Sequence, residues 1–132
     1  MANSGSTINN IFSLRLWCRE NLPTDNSLIA YDLILLLAHN HNAKKNITVK
    51  QLYSSLPHSY TAVRQHYNRF ISNGLIKLNN DGLDRRIKYI EPTAKLLNIV
   101  EKYVEVAEKI FTPPPALISR FNTTIKPASP QP

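Results

Sequence analysis

Between residues 48 and 91 the sequence sets out an order of starts and stops that few architectures accommodate. Thr48 opens a capping box with Gln51 three residues on, each side chain taking up the other's backbone N–H. VKQLYSSL then reads as a short helix ended by Pro57. After a tight turn, Ser59 is the natural cap of a second helix, TAVRQHYNRFIS. Asn73-Gly74 closes it, because glycine takes the left-handed backbone of a helix stop without steric penalty. Two short helices joined this way form a helix-turn-helix. LIKL and RRIKYIE follow, β-prone runs separated by NNDGLD, and the Asp-Gly pair predicts a hairpin. A hairpin directly after a helix-turn-helix is a wing, so the expected fold is mainly α with a small β-hairpin, a winged helix-turn-helix.

The flanking segments are helical by periodicity. From about Thr7, Ile8, Ile11, Phe12, Leu14, Trp17 and Cys18 recur at threes and fours until Leu22-Pro23. Ser27 caps LIAYDLILLLAH, which is apolar nearly all round and is expected to be buried on most sides. Beyond Pro92, Leu96, Val100, Tyr103, Val104, Ala107, Ile110 and Phe111 share one side of a helix that Thr112-Pro113 stops. Residues 113–132 hold six of the nine prolines around the amphipathic piece ALISRF, which predicts a flexible tail with one docking segment. A chain of 132 residues has room for one domain with a real core. We place that domain at 1–111, its DNA-binding lobe at about 44–95, and the tail at 112–132.

Charge singles out the same middle segment. The formal net charge is +7, and residues 44–95 hold ten Lys/Arg against three acids, so essentially all the excess lies in one supersecondary unit. Confinement of this kind predicts a phosphate-facing surface, whereas a uniformly basic chain is adapted only for solubility. No apolar run is long enough to span a bilayer, and the N-terminus lacks a basic start and an apolar stretch, so a cytoplasmic protein without a membrane partner is expected. The lone Cys18 and the lack of any Cys/His quartet at zinc spacing imply no disulfide and no structural metal. Neither a Gly-rich phosphate loop, a nucleophile–base pair nor paired catalytic carboxylates can be assembled, which argues against an enzyme and against a cofactor.

Projection of the second short helix at 100° per residue puts Val63, Tyr67, Phe70 and Ile71 on one face and Thr61, Arg64, Gln65, Asn68 and Ser72 on the other. Arg can fork onto guanine and Gln can pair with adenine, while Thr and Asn reach bases or phosphates. With Ser59 and Tyr60 of the first turn, Thr61, Arg64, Gln65 and Asn68 are the candidate DNA-binding residues of the helix. Tyr60 lies nearer the core side by angle yet can still reach a phosphate or a thymine methyl. In the wing, Lys77, Arg85, Arg86 and Lys88 flank a tip of Asn79, Asn80, Asp81 and Gly82, with Asp84 placed to orient an arginine. The competing readings are a plain solvated helix face and charge that protects an edge strand.

The segment QLYSSLPHSYTAVRQHYNRFISNGLIKLNNDGLDRRIKYIEPTAKLL resembles the DNA-binding lobe of the MarR family of bacterial regulators. Gly74-Leu75, Asp84 with Arg86, and Ile90 with Thr93 stand where that family has its Gly-Leu pair and its D-x-R and L-T wing. Pro92 stands where it has Leu. The resemblance covers roughly residues 47–97. It implies a dimer that represses transcription from a palindromic site, reads it with helix 59–73, and inserts the wing arginine matching Arg86 into the minor groove. The leading expectation is therefore a sequence-specific double-stranded DNA-binding regulator, bacterial or from a mobile element. Helix 59–73 takes the major groove and wing 75–91 the minor groove or phosphates. The helices at 7–19 and 93–111 join a homodimer; a small-molecule effector is left open. The rivals are a winged-helix protein-interaction adaptor and a plasmid or mobile-element replication or partition protein.

Two further signals stand apart from this surface. His39-Asn40-His41 hints at a metal, but residues two apart on a helix point in different directions, so a solvated helix end is expected. Cys18, one turn from Arg15, is either a redox-sensing thiol, as in some relatives of the resembled family, or a buried apolar residue beside Trp17. His58 is expected in the turn and His66 partly packed.

Overall fold

Every helix start in the lobe is a side-chain cap. In the computed structural model, which describes residues 4–80 and 82–112, the Thr48 hydroxyl accepts the Gln51 N–H at 3.1 Å while Oε1 of the Gln51 side chain accepts the Thr48 N–H at 2.9 Å. This capping box starts helix α3 (Val49–Ser55). The Ser59 hydroxyl accepts the Ala62 N–H and starts α4 (Tyr60–Ser72). Its stop is the expected one: Gly74 lies at φ 71°, and the Leu75 N–H turns back to the Phe70 carbonyl at 2.9 Å. Upstream lie α1 (Ser4–Asn21) and α2 (Leu28–Asn42), the latter capped by Ser27. Downstream lies α5 (Ala94–Phe111), capped by Thr93.

The wing is a three-stranded antiparallel sheet in the order β1-β3-β2, made of β1 (Ile47–Thr48), β2 (Ile76–Asn80) and β3 (Lys88–Pro92). Sequence reading misses β1, because two residues carry no periodicity; Ile47 pairs with Ile90 and Thr48 with Tyr89. The hairpin also differs from the expected one. Arg85 and Arg86 lie in the connection, not in the second strand, whose ladder begins at the Asn80–Lys88 pair. The cause is local. Asp84 accepts the Arg86 backbone N–H on its side chain and the Ile87 N–H on its carbonyl, a turn that competes with extension. Pro92 closes β3 opposite Ile76, and the bond that follows comes from the Thr93 N–H to the Leu75 carbonyl, so the missing proline N–H costs nothing.

The core is built where α2, α4 and the sheet meet: Leu33, Ile34, Leu37, Leu52, Val63, Phe70, Leu75, Ile90 and Leu96 are all buried. α2 is less enclosed than its composition suggests, with Leu28 67% and Leu35 39% exposed. α1 begins at Ser4 rather than near Thr7 and is buried only in its second half, where Cys18 joins the core and Leu14 and Trp17 pack on it. Its first half leaves Ile8 and Phe12 each 62% exposed. Trp17 stacks on Tyr103 at 6.0 Å between ring centres, and the Tyr103 and Tyr31 hydroxyls meet at 2.6 Å, tying α5 to α1 and α2. Among the described residues, these five helices and one sheet make a winged helix framed by its first and last helices. No helix there is long and apolar enough to cross a membrane. The Pro-rich tail from Pro113 with its ALISRF segment, and the wing-tip Asp81, lie outside the described residues.

Candidate nucleic-acid interface

Amphipathicity sets what α4 offers outward. Val63, Tyr67 and Phe70 anchor it in the core, while Ser59, Tyr60, Thr61, Arg64, Gln65 and Asn68 are all exposed. Ile71, assigned to the inner face by angle, is 37% exposed at the rim. The Ser59 hydroxyl is engaged as a cap. Tyr60 does not turn toward the core. It is 58% exposed, lies against Tyr53 of α3 at 4.6 Å between ring centres, and accepts an N–H from Arg64 Nη1 at 3.2 Å.

The turn before α4 is pinned from behind. His58 Nε2 meets the Asp32 carboxylate of α2 at 2.8 Å, a partner that its reading as a simple turn residue does not foresee. His66 Nδ1 bonds the Ala62 carbonyl and is half-buried, as expected. The His58–Asp32 contact ties the turn before α4 to the core helix α2, while the His66 bond stays within α4.

In the wing, Asp84 grips Arg86 with both oxygens, Oδ1 to Nε and Oδ2 to Nη2 at 3.1 Å each. The Arg86 guanidinium and backbone N–H hold the Asp84 carboxyl below the usual carboxylate range, and the same pairing raises Arg86. Of the anticipated arginine pair, then, Arg86 is the one Asp84 orients, and Arg85 is exposed beside it. Lys77 is paired across the ladder with Glu91 at 3.6 Å, and Lys88 donates to Asn80 at 3.1 Å. Part of the wing's positive charge is thus countered within the sheet.

The structure brings the helix and the wing to one cleft of about 1180 Å³, where Tyr60 and Arg64 of α4 face Leu78, Arg86, Ile87 and Lys88 of the wing. Lys50, Tyr53 and Ser54 of α3 form its third wall, and sequence reasoning foresees none of these. A projection of α3 like that made for α4 is the available signal for Lys50 and Tyr53. Thr61, Gln65, Asn68, Lys77 and Arg85 do not line this cleft.

Apart from this surface, Cys18 is 3% exposed, and burial pushes its thiol up, outweighing the bond to Tyr103 and the nearby Arg15. Burial and the bond to Tyr31 likewise raise the Tyr103 hydroxyl. With the folded thiol pKa raised, the thiolate is scarce at neutral pH and becomes less so only as pH climbs above the ordinary thiol range. Cys18 is therefore expected to react with DTNB at pH 8 far more slowly in the native protein than in denaturant; equal rates would show an accessible, activated thiol. His39 and His41 are exposed at the end of α2. Among the described residues no group of three His, Cys, Asp or Glu side chains is placed to hold a metal.

A capped helix-turn-helix, a basic wing and framing helices define a winged helix. No family model matches the sequence, and no curated protein matches it by sequence. Among solved structures, the chain is similar to S. aureus MepR in a DNA complex, with a TM-score of 0.67 and 15% identity over 96% of this chain and 89% of that one. It is similar also to the transcriptional regulator Tm0710 from Thermotoga maritima, with a TM-score of 0.58 and 16% identity over 95% and 82%. With MarR the TM-score is 0.54 and the identity 16% over 96% and 88%. The chain has the MarR-like winged-helix fold.

Proposed function

We propose that the chain is a cytoplasmic, sequence-specific regulator of transcription that binds double-stranded DNA as a homodimer. α4 lies in the major groove, and the loop carrying Arg85 and Arg86 meets the minor groove or its flanking phosphates. The observation that carries this reading is the outward face of α4. Four side chains able to read or grip DNA, Thr61, Arg64, Gln65 and Asn68, stand exposed on a helix whose other face is locked in the core, beside a wing that bears cations. The likeness in fold to MepR, solved on DNA, supports it.

Titration of a fluorescent duplex at several salt concentrations tests the reading. For a DNA reader, the logarithm of the binding constant falls linearly with the logarithm of salt, by about 0.9 per neutralised phosphate. A protein-interaction adaptor with the same fold shows no appreciable duplex affinity at any salt, and that result would end the proposal.

A further inference from the structure

Arg64 is not a lone exposed side chain. It ends a chain of contacts that begins in the core: Tyr67, buried, meets Tyr53 at 5.9 Å between ring centres; Tyr53, half-buried, meets Tyr60 at 4.6 Å; and the Tyr60 hydroxyl accepts the Arg64 Nη1 N–H at 3.2 Å. Tyr60 and Arg64 are four residues apart on α4 and therefore share a face, and Tyr53 reaches them across the turn from α3. We propose that Tyr53 and Tyr60 are positioning residues that hold the Arg64 guanidinium in a base-reading orientation at the first turns of α4.

The inference rests on α4 being the reader, and it adds what sets the reader's geometry. An exposed arginine has many rotamers, and docking it on a base edge requires all but a few to be given up. A bond to Tyr60 restricts that freedom before DNA arrives. It engages one of the five guanidinium N–H donors, leaving the others for an acceptor pair such as the O6 and N7 of guanine. The bond is useful only if Tyr60 is itself held, and an exposed tyrosine at the start of a helix is not held by its own helix. Tyr53 supplies that hold. Burial chiefly raises the Tyr53 hydroxyl above its ordinary value, with nearby Tyr60 adding to the rise and Arg64 opposing it.

The test uses the intact protein and a preferred duplex selected from a random pool, with every base pair of one half-site substituted in turn. Arg64→Ala first identifies the position at which Arg64 discriminates. Tyr60→Phe, which keeps the ring and removes only the hydroxyl, is expected to lower discrimination at that position by roughly 2- to 12-fold, the effect of freeing one long side chain. The other positions and the salt slope should stay unchanged. In the Arg64→Ala background, Tyr60→Phe should do nothing more. Tyr53→Ala should lower discrimination as Tyr60→Phe does, and Tyr53→Phe should not; if Tyr53→Ala fails to fold, Tyr60→Phe and the double variant still decide the matter. Wild-type discrimination in Tyr60→Phe, with a clear drop in Arg64→Ala, overturns the relay and leaves α4 as reader. A uniform weakening on all duplexes with a shallower salt slope also overturns it, since the hydroxyl would then be a phosphate contact. Discrimination unaffected by Arg64→Ala removes Arg64 as a reader and the relay with it.

Discussion

Phe12→Asp is expected to split the protein into monomers and lower its affinity for a two-half-site duplex by about 10²- to 10⁴-fold, the gain that linking two binding events provides. The first half of α1 exposes Ile8, Ile11 and Phe12, and the second half of α5 exposes Val104 and Phe111. Among the described residues, nothing covers these side chains. Leu14, Trp17, Cys18 and Tyr103 already satisfy the contact of α1 and α5 with the core. Apolar side chains gathered on exposed helix faces are the mark of an association surface, and soluble oligomers most often close it with a second copy about a two-fold axis. A carboxylate at position 12 sits harmlessly in water in a monomer but is buried without a partner in a dimer, so it penalises assembly and spares the fold. Light scattering at tens of micromolar, duplex titration on full and half sites, and a thermal melt separate these effects. The half-site affinity should be nearly unchanged. A wild-type protein that is monomeric at that concentration, or a Phe12→Asp protein that keeps its dimer mass, refutes the interface.

What can be read in the sequence follows from how local each signal is. The caps at Ser27, Thr48 and Ser59 and the stop at Gly74 depend on side chains within a few residues of one another, and all four bound helices that the sequence predicts; the Thr93 cap of α5 is just as local, yet that helix is foreseen from its periodicity. The outward face of α4 is legible for the same reason, since the helical period separates Arg64 and Gln65 from Val63 and Phe70. Features that depend on a partner distant in the chain are not legible. β1 exists because Ile47 finds Ile90, and its two residues have no pattern of their own. Leu28 and Leu35 are apolar yet exposed, because period shows which residues share a face and not whether anything covers it. Tyr60 is ambiguous by angle because its place is decided by Tyr53 on another helix. The wing loop departs from expectation through a local competitor: the run RRIKYIE is β-prone, but the Asp84 turn takes up backbone groups that the ladder needs.

The two basic elements should divide affinity and selectivity between them, and their mutants should show it. Arg64 and Gln65 project from a helix pinned at its start by Ser59 and the His58–Asp32 contact, so in the major groove they meet base edges whose donor and acceptor patterns distinguish all four base pairs. Arg86 projects from a loop, 89% exposed, and is aimed by Asp84 rather than by the core. In the minor groove the pattern it meets is degenerate, and on phosphates it carries no sequence at all. Arg64→Ala or Gln65→Ala is therefore expected to cost about 1–3 kcal/mol on the preferred duplex and to relax selectivity at one position per half-site. Arg86→Ala should weaken preferred and scrambled duplexes by similar factors and make the salt slope shallower by about one unit for each phosphate that Arg86 neutralises. Lys77 serves as the internal contrast. It does not line the cleft between α4 and the wing that Arg86 lines, so Lys77→Ala should alter the slope less than Arg86→Ala does. Matched titrations of wild type and the four variants, on selected and scrambled duplexes at several salt concentrations, give both quantities at once. Should Arg64→Ala and Gln65→Ala both leave the ratio of specific to nonspecific affinity unchanged, α4 is not the reader; should Arg86→Ala change that ratio as strongly as is expected of them, the wing reads sequence and the division of labour is reversed.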